Sequence, residues 1–192
     1  MEKYLSWLKE QWTDKRFRIY LAVILIAGIG LAAIFFILSY SLLKAIRYLI
    51  LYAVLFLIAW NDGKKKRIPN KILKVLLGIR CVLMVLEWLR FPKLGLALLM
   101  SAALGALLGG GVFLLAHFIA KGGVGMGDVK LLAVIGTYVG SGSIMAAAFL
   151  SVMVSAIYSV VMLLLKKIKL KEEIPFAPFI FVGTALTMAL GM

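Results

Sequence analysis

Ile19–Tyr40 runs for 22 residues without a charged side chain. In a helix, about 20 apolar residues span the roughly 30 Å of hydrocarbon in a bilayer. Hydrophobic residues make up 64% of the 192-residue chain, and the mean hydropathy is +1.07. Soluble domains carry about 45–50% apolar residues, and a chain of this length lacks the interior to hide the excess. Disorder is excluded as well, because disordered chains are poor in apolar residues. The solvent is lipid, and the expected fold class is all-α, a polytopic membrane helical bundle.

Seven candidate spans are expected: Ile19–Tyr40, Leu42–Trp60, Ile68–Leu89, Leu94–Ala120, Val129–Val139, Ile144–Leu165 and Ile174–Met192. In the second, Lys44 and Arg47 are expected to snorkel to the outer interface. The fifth is short, and its support comes from charge. With the N-terminus inside and all seven segments crossing, seventeen of the 22 Lys and Arg residues fall on the inner side. They are the first five, the Lys64–Arg67 run with Lys71 and Lys74, Lys121, Lys130 and the Lys166–Lys171 cluster. Without the fifth crossing, that last cluster turns outward, against the positive-inside rule. An N-in, C-out topology follows. The net charge of +14 then reads as cytoplasmic loops and contacts with anionic headgroups, not as a nucleic-acid face.

The first apolar run is too long for a signal-peptide core and has no small-residue cleavage site behind it, so it reads as an anchor. Residues 1–18, with Trp7, Leu8 and Trp12 among Lys and Glu, suit an interfacial amphipathic helix or a solvated tail. Residues 1–47 form this tail and an extra span; residues 48–192 form the core. Gly105-x-x-x-Gly109, followed by Gly110 and Gly111, offers close helix contact in the fourth span, as do Gly28 and Ala32 in the first. Cys81 stands in an apolar run and reads as a packing residue. A single cysteine and a single histidine, His117, give no metal-ligand spacing. No metal and no cofactor are expected.

Chemistry is narrowed by the scarcity of acids, of which there are eight. Glu2, Glu10 and Asp14 lie in the polar N-terminus, and Glu172 and Glu173 stand among lysines. Glu87, three residues before Arg90, is expected to pair with it. Asp62 and Asp128 remain, each at the cytoplasmic end of an expected span. Two adjacent carboxylates share a proton, so one serves as base and the other as acid, as in aspartic proteases. The glycines before Asp128 allow a tight turn beside an extended substrate. The same pattern also fits a glycine-rich loop whose aspartate caps the next helix. From the residues alone, both readings stand.

Gly125-Met126-Gly127-Asp128, continuing Val129-Lys130-Leu131-Leu132, resembles the G-x-G-D segment of the type IV prepilin peptidases and archaeal preflagellin peptidases. Asp62, followed after five residues by Ile68-Pro69-Asn70, resembles their first catalytic segment. Ile174-Pro175-Phe176-Ala177-Pro178-Phe179 is similar to their P-F-G-P-F element, with Ala for Gly. The three segments stand in family order over about Tyr48 to Met192. The resemblance implies a membrane aspartyl endopeptidase of the prokaryotic cytoplasmic membrane, with Asp62 and Asp128 as the catalytic pair. It would cut the short basic leader from a prepilin-like protein at the cytoplasmic face. Gly125, Gly127, Pro69, Asn70, Pro175, Phe176 and Pro178 shape the site. Lys130 either lowers a carboxylate pKa or snorkels.

Many bacterial members also carry two C-x-x-C pairs in a cytoplasmic insert and N-methylate the product. One cysteine cannot supply those pairs, so neither structural zinc nor that methyltransferase activity is expected. Two other classes fit parts of the pattern. A presenilin-like protease usually sets its other Asp in Tyr-Asp, whereas Asp62 follows Asn61. A small proton-coupled transporter or assembly scaffold needs ionisable residues deep in several spans, and only Arg80 qualifies, about 18 Å into the third. Arg80 needs a partner there, for which Glu87, two turns on, is one candidate.

Overall fold

The computed structural model describes residues 15–119, 124–167 and 174–192. The expected amphipathic segment around Trp7 and Trp12, and Lys121, Lys169 and Lys171, lie outside them. Among the described residues there are seven α-helices and no strand: α1 (Lys15–Ile37), α2 (Leu42–Lys65), α3 (Asn70–Arg90), α4 (Pro92–Ile119), α5 (Met126–Val139), α6 (Ser141–Leu164) and α7 (Ala177–Leu190). The fold is all-helical, as the apolar runs require. Phe17–Ile37, Leu42–Lys65, Pro92–Ile119 and Ser141–Leu164 are long and apolar enough to cross a membrane. The chain divides into two compact units, Met1–Ser39 and Tyr40–Met192. The first holds α1, which carries no charged residue from Ile19 to Ile37.

In the second unit the shortest helices carry the most information. α5 has 14 residues, about 21 Å at 1.5 Å per residue, and it packs against all five other helices of its unit. Its buried residues Val129, Leu131, Leu132, Val134, Ile135, Tyr138 and Val139 take up more than half of its circumference, a wider apolar face than a surface helix shows. The expected span Val129–Val139 is therefore this central helix, extended by three residues at its start.

α4 lies against α5 through the expected glycines. A Cβ on Gly105 would collide with the backbone of Gly136, and one on Gly109 would lie 2.6 Å from the Leu132 carbonyl oxygen. Gly111 meets nothing within 4 Å and takes no part. Neither backbone can yield at the Gly105–Gly136 crossing. Gly136→Ala is therefore expected to destabilise the unit by about 1–3 kcal/mol through overpacking, measured as a lower unfolding midpoint in detergent. Gly111→Ala, at an open site in the helix interior, should not lower the midpoint and should raise it slightly, by about 0.5–1 kcal/mol of stability.

Two polar ties set the other face of α5 against α3. Arg80 donates from Nε to the Thr137 carbonyl at 2.7 Å, and the Tyr138 hydroxyl donates to the Leu76 carbonyl at 2.6 Å. Arg80 and Arg47 also share one acid. Glu87 accepts from Arg80 at 2.8 Å and from Arg47 at 2.9 Å, with all three residues buried. Three expectations are thereby corrected. Glu87 pairs with Arg47 and Arg80, not Arg90, because it lies on the buried face of α3 while Arg90 is exposed. Arg47 does not snorkel, since a buried carboxylate across the α2–α3 contact accepts it; Lys44 instead places its ammonium 3.7 Å from the Tyr40 ring centre. Cys81 is exposed, so it belongs to the outward face of α3 and not to the core.

Candidate active site

Asp62 closes the last turn of α2. Leu51, Leu55 and Ile58 mark the buried face of that helix, and Asp62 continues it at helical spacing with 5% exposure. The helix ends at Lys66, whose left-handed backbone (φ 49°) lets its N–H donate to the Asp62 carbonyl at 2.8 Å. Asn61 secures the turn by donating from Nδ2 to the Arg67 carbonyl at 2.9 Å. The Lys64–Arg67 run is thus turned outward and exposed, while the aspartate points inward.

The carboxylate of Asp62 is met by α7. Ala177, the first residue of that helix, donates its backbone N–H to Asp62 Oδ2 at 3.1 Å. Pro178 stands in the first turn, where its missing N–H costs nothing. Phe176 caps the helix and stacks on Phe113 of α4, with ring centres 6.0 Å apart. Pro175, just before, is half-buried.

Asp128 occupies the first turn of α5. Gly125 is the extended N-cap, and its carbonyl accepts the Asp128 N–H at 3.0 Å. A Cβ at Gly125 would lie 2.9 Å from Asp128 Oδ2, so glycine leaves room for the carboxyl to fold back over its own helix end. A Cβ at Gly127 would lie 3.3 Å from Cβ of Ile68. That contact brings the start of α3, whose N-cap is Pro69, to the same place. Four helix ends therefore converge: the C-terminus of α2 and the N-termini of α3, α5 and α7. Of the three N-termini, that of α7 gives its first N–H to Asp62, where the positive end of the helix dipole also favours negative charge.

Asp128 stands one residue ahead of the apolar stretch Val129–Val139. Burial, and then the negative charge of Asp62, push its carboxyl up to about 7. Of the other residues singled out by sequence, Asn70 and Lys130 are exposed at the first turns of α3 and α5. Among the described residues, no three His, Cys, Asp or Glu side chains gather as a metal site would need.

Three contacts escape sequence reasoning. Ala177 registers there only as a departure from a motif, yet its N–H meets Asp62, 115 positions away. Ile68 enters the sequence reading only as part of the Ile68-Pro69-Asn70 motif, yet it packs into the space that Gly127 leaves. His117 enters the sequence reading only as a lone histidine without metal-ligand spacing, yet its Nδ1 lies 2.6 Å from the Val124 carbonyl. Pro175 and Pro178, which signal a helix start, were the available pointer to the first.

A model of the type IV leader peptidase family matches residues 49–160. The chain is also similar to the prepilin leader peptidase/N-methyltransferase of Bacillus subtilis (strain 168), at 33% identity over 160 residues. That alignment takes in 83% of this chain and 60% of the relative, so the chain spans about three fifths of that protein's length. No solved structure matches. The family match covers more than half of the chain and includes both Asp62 and Asp128, and the chain therefore belongs to the type IV leader peptidase family.

Proposed function

We propose that the chain is a membrane aspartyl endopeptidase that removes the short basic leader of a prepilin-like precursor at the cytoplasmic face of a prokaryotic membrane. One observation carries this reading: the end of α2 and the start of α5 bring two acids close enough for the charge of one to bear on the other. Family membership supports it. The lipid bilayer supplies the remaining partner, with anionic headgroups against the exposed Lys64–Arg67 run. The N-in, seven-crossing topology belongs to the same proposal.

The two acids take different roles. Burial raises the Asp62 carboxyl, but the Ala177 N–H opposes that rise by favouring the charged form, and Asp62 is assigned the role of base. Asp128, raised to about 7 and so still protonated in about half of the molecules at neutrality, is the acid. Asp62 takes a proton from a water, whose oxygen attacks the peptide carbonyl carbon, while Asp128 protonates the carbonyl oxygen. The resulting gem-diol collapses when its hydroxyl proton returns to Asp128. Asp62 delivers its proton to the leaving nitrogen and the C–N bond breaks. Both carboxyls end as they began.

The test is cleavage of a prepilin-like substrate, with a short basic leader ending in Gly, by the chain in membranes. A product that begins directly after the Gly is expected, and intact substrate would refute the reading. Mass spectrometry of that product should show a free N-terminus, since N-methylation is not proposed.

A pH dependence follows from Asp128. Its protonated form is the active one, so kcat/KM should fall as pH rises through about 7, approaching tenfold per unit above it. A profile flat from pH 6 to 9 would contradict the assignment of the acid.

A further inference from the structure

His117 is the chain's one histidine, and neither the motifs nor the proposed chemistry uses it. It lies in the last turn of α4, half-buried, with its ring edge-on to Phe118 at 5.7 Å between centres. Its Nδ1 is 2.6 Å from the carbonyl oxygen of Val124. A carbonyl only accepts, so Nδ1 carries the proton and donates. The bonded carbonyl belongs to the planar peptide joining Val124 to Gly125. Holding that oxygen therefore fixes the plane from which Gly125 begins α5. Gly125 in turn accepts the Asp128 and Val129 N–H groups, at 3.0 and 3.3 Å. The chain of contacts from imidazole to Asp128 is one hydrogen bond, one peptide and one helix cap.

The post that carries the imidazole is rigid. Gly105 and Gly109 seat α4 directly on the backbone of α5, and Phe113, one turn before His117, stacks on Phe176 at the start of α7. The ring is thus fixed relative to both the helix that bears Asp128 and the helix that meets Asp62. We propose that His117 is a positioning residue, which clasps the Val124 carbonyl and so aims the Asp128 carboxyl at Asp62. The inference rests on reading Asp62 and Asp128 as the working pair.

Three variants, assayed with the prepilin-like substrate in membranes, test it. His117→Ala removes the donor. His117→Asn restores one, because the Asn Nδ2 takes the place of the imidazole Nδ1. His117→Leu fills the space without donating. His117→Ala and His117→Leu should each lower kcat about tenfold, the effect of one hydrogen bond, with KM within about twofold of the parent. His117→Asn should return kcat to within about threefold. Parent-like kcat in His117→Ala, or an equal loss in His117→Asn, overturns the proposal.

Amide hydrogen exchange supplies a readout independent of substrate. The Asp128 and Val129 amides should exchange about tenfold faster in His117→Ala and at the parent rate in His117→Asn; unchanged exchange in His117→Ala also overturns the clasp. If the parent cleaves no substrate, the reading of the two acids fails and the exchange rates alone decide the clasp.

Discussion

Asp62→Asn and Asp128→Asn are each expected to lower leader cleavage by at least about a thousandfold, within the range for loss of a positioned acid or base. Asparagine preserves shape and the ability to accept the Ala177 N–H at Asp62, so the fold should survive. What is lost is the exchangeable proton. An amide in place of the Asp62 carboxyl would be unable to take a proton from water. One in place of the Asp128 carboxyl would be unable to give a proton to the carbonyl oxygen. The Asp128→Asn variant should also alter the dependence of stability on pH. The Asp128 carboxyl is raised to about 7 in the folded chain, against about 4 when unfolded. Its contribution is present below the unfolded value and lost as pH rises through about 7. The parent's unfolding midpoint should therefore decline between pH 5 and 8, and Asp128→Asn should remove part of that decline. Retained cleavage by either variant would sink the catalytic pair; an unchanged midpoint profile would sink only the pKa argument.

Much of this site was legible because the membrane reduces the problem to helices, ends and sides. A count of crossings, checked against the basic residues, placed Asp62 and Asp128 at one end, and four helix ends of the second unit meet there. The glycines of α4 were legible for a similar reason: close backbone approach leaves few alternatives to Gly105 and Gly109. Facing is harder to read. In lipid the outer surface of a helix is as apolar as its core, so the neighbours of Cys81 did not reveal that it faces outward. Partner choice was hidden in the same way. Helical spacing offered Glu87 both Arg80 and Arg90, and nothing local pointed to Arg47, 40 positions away. The contact between Ala177 and Asp62 needs the fold itself.

Glu87→Leu is expected to destabilise the second unit by about 3–5 kcal/mol, the cost of leaving a buried ion without its partner. The side chains of Arg47, Arg80 and Glu87 are 9%, 2% and 6% exposed, so water screens little of the loss. The network holds two cations on one anion. Removing Glu87 leaves two unpaired guanidiniums among apolar side chains, whereas Arg47→Met leaves the neutral Arg80–Glu87 pair. Arg47→Met should therefore cost less than half as much, on the reasoning that a lone buried charge is dearer than a deleted one. Unfolding midpoints in detergent would rank the two, and a Glu87→Leu variant no weaker than Arg47→Met would refute this account. Activity should follow stability here. Glu87 joins α2 to α3, and Arg80 joins α3 to the Thr137 carbonyl of α5. These links fix how far α2 and α5 slide along α3, and hence whether Asp62 and Asp128 stand at the same depth. A register shift of one residue, about 1.5 Å, would exceed the tolerance of a shared proton. Glu87→Leu molecules that remain folded should show a lower kcat, although the substitution lies at the opposite end of α3 from the acids.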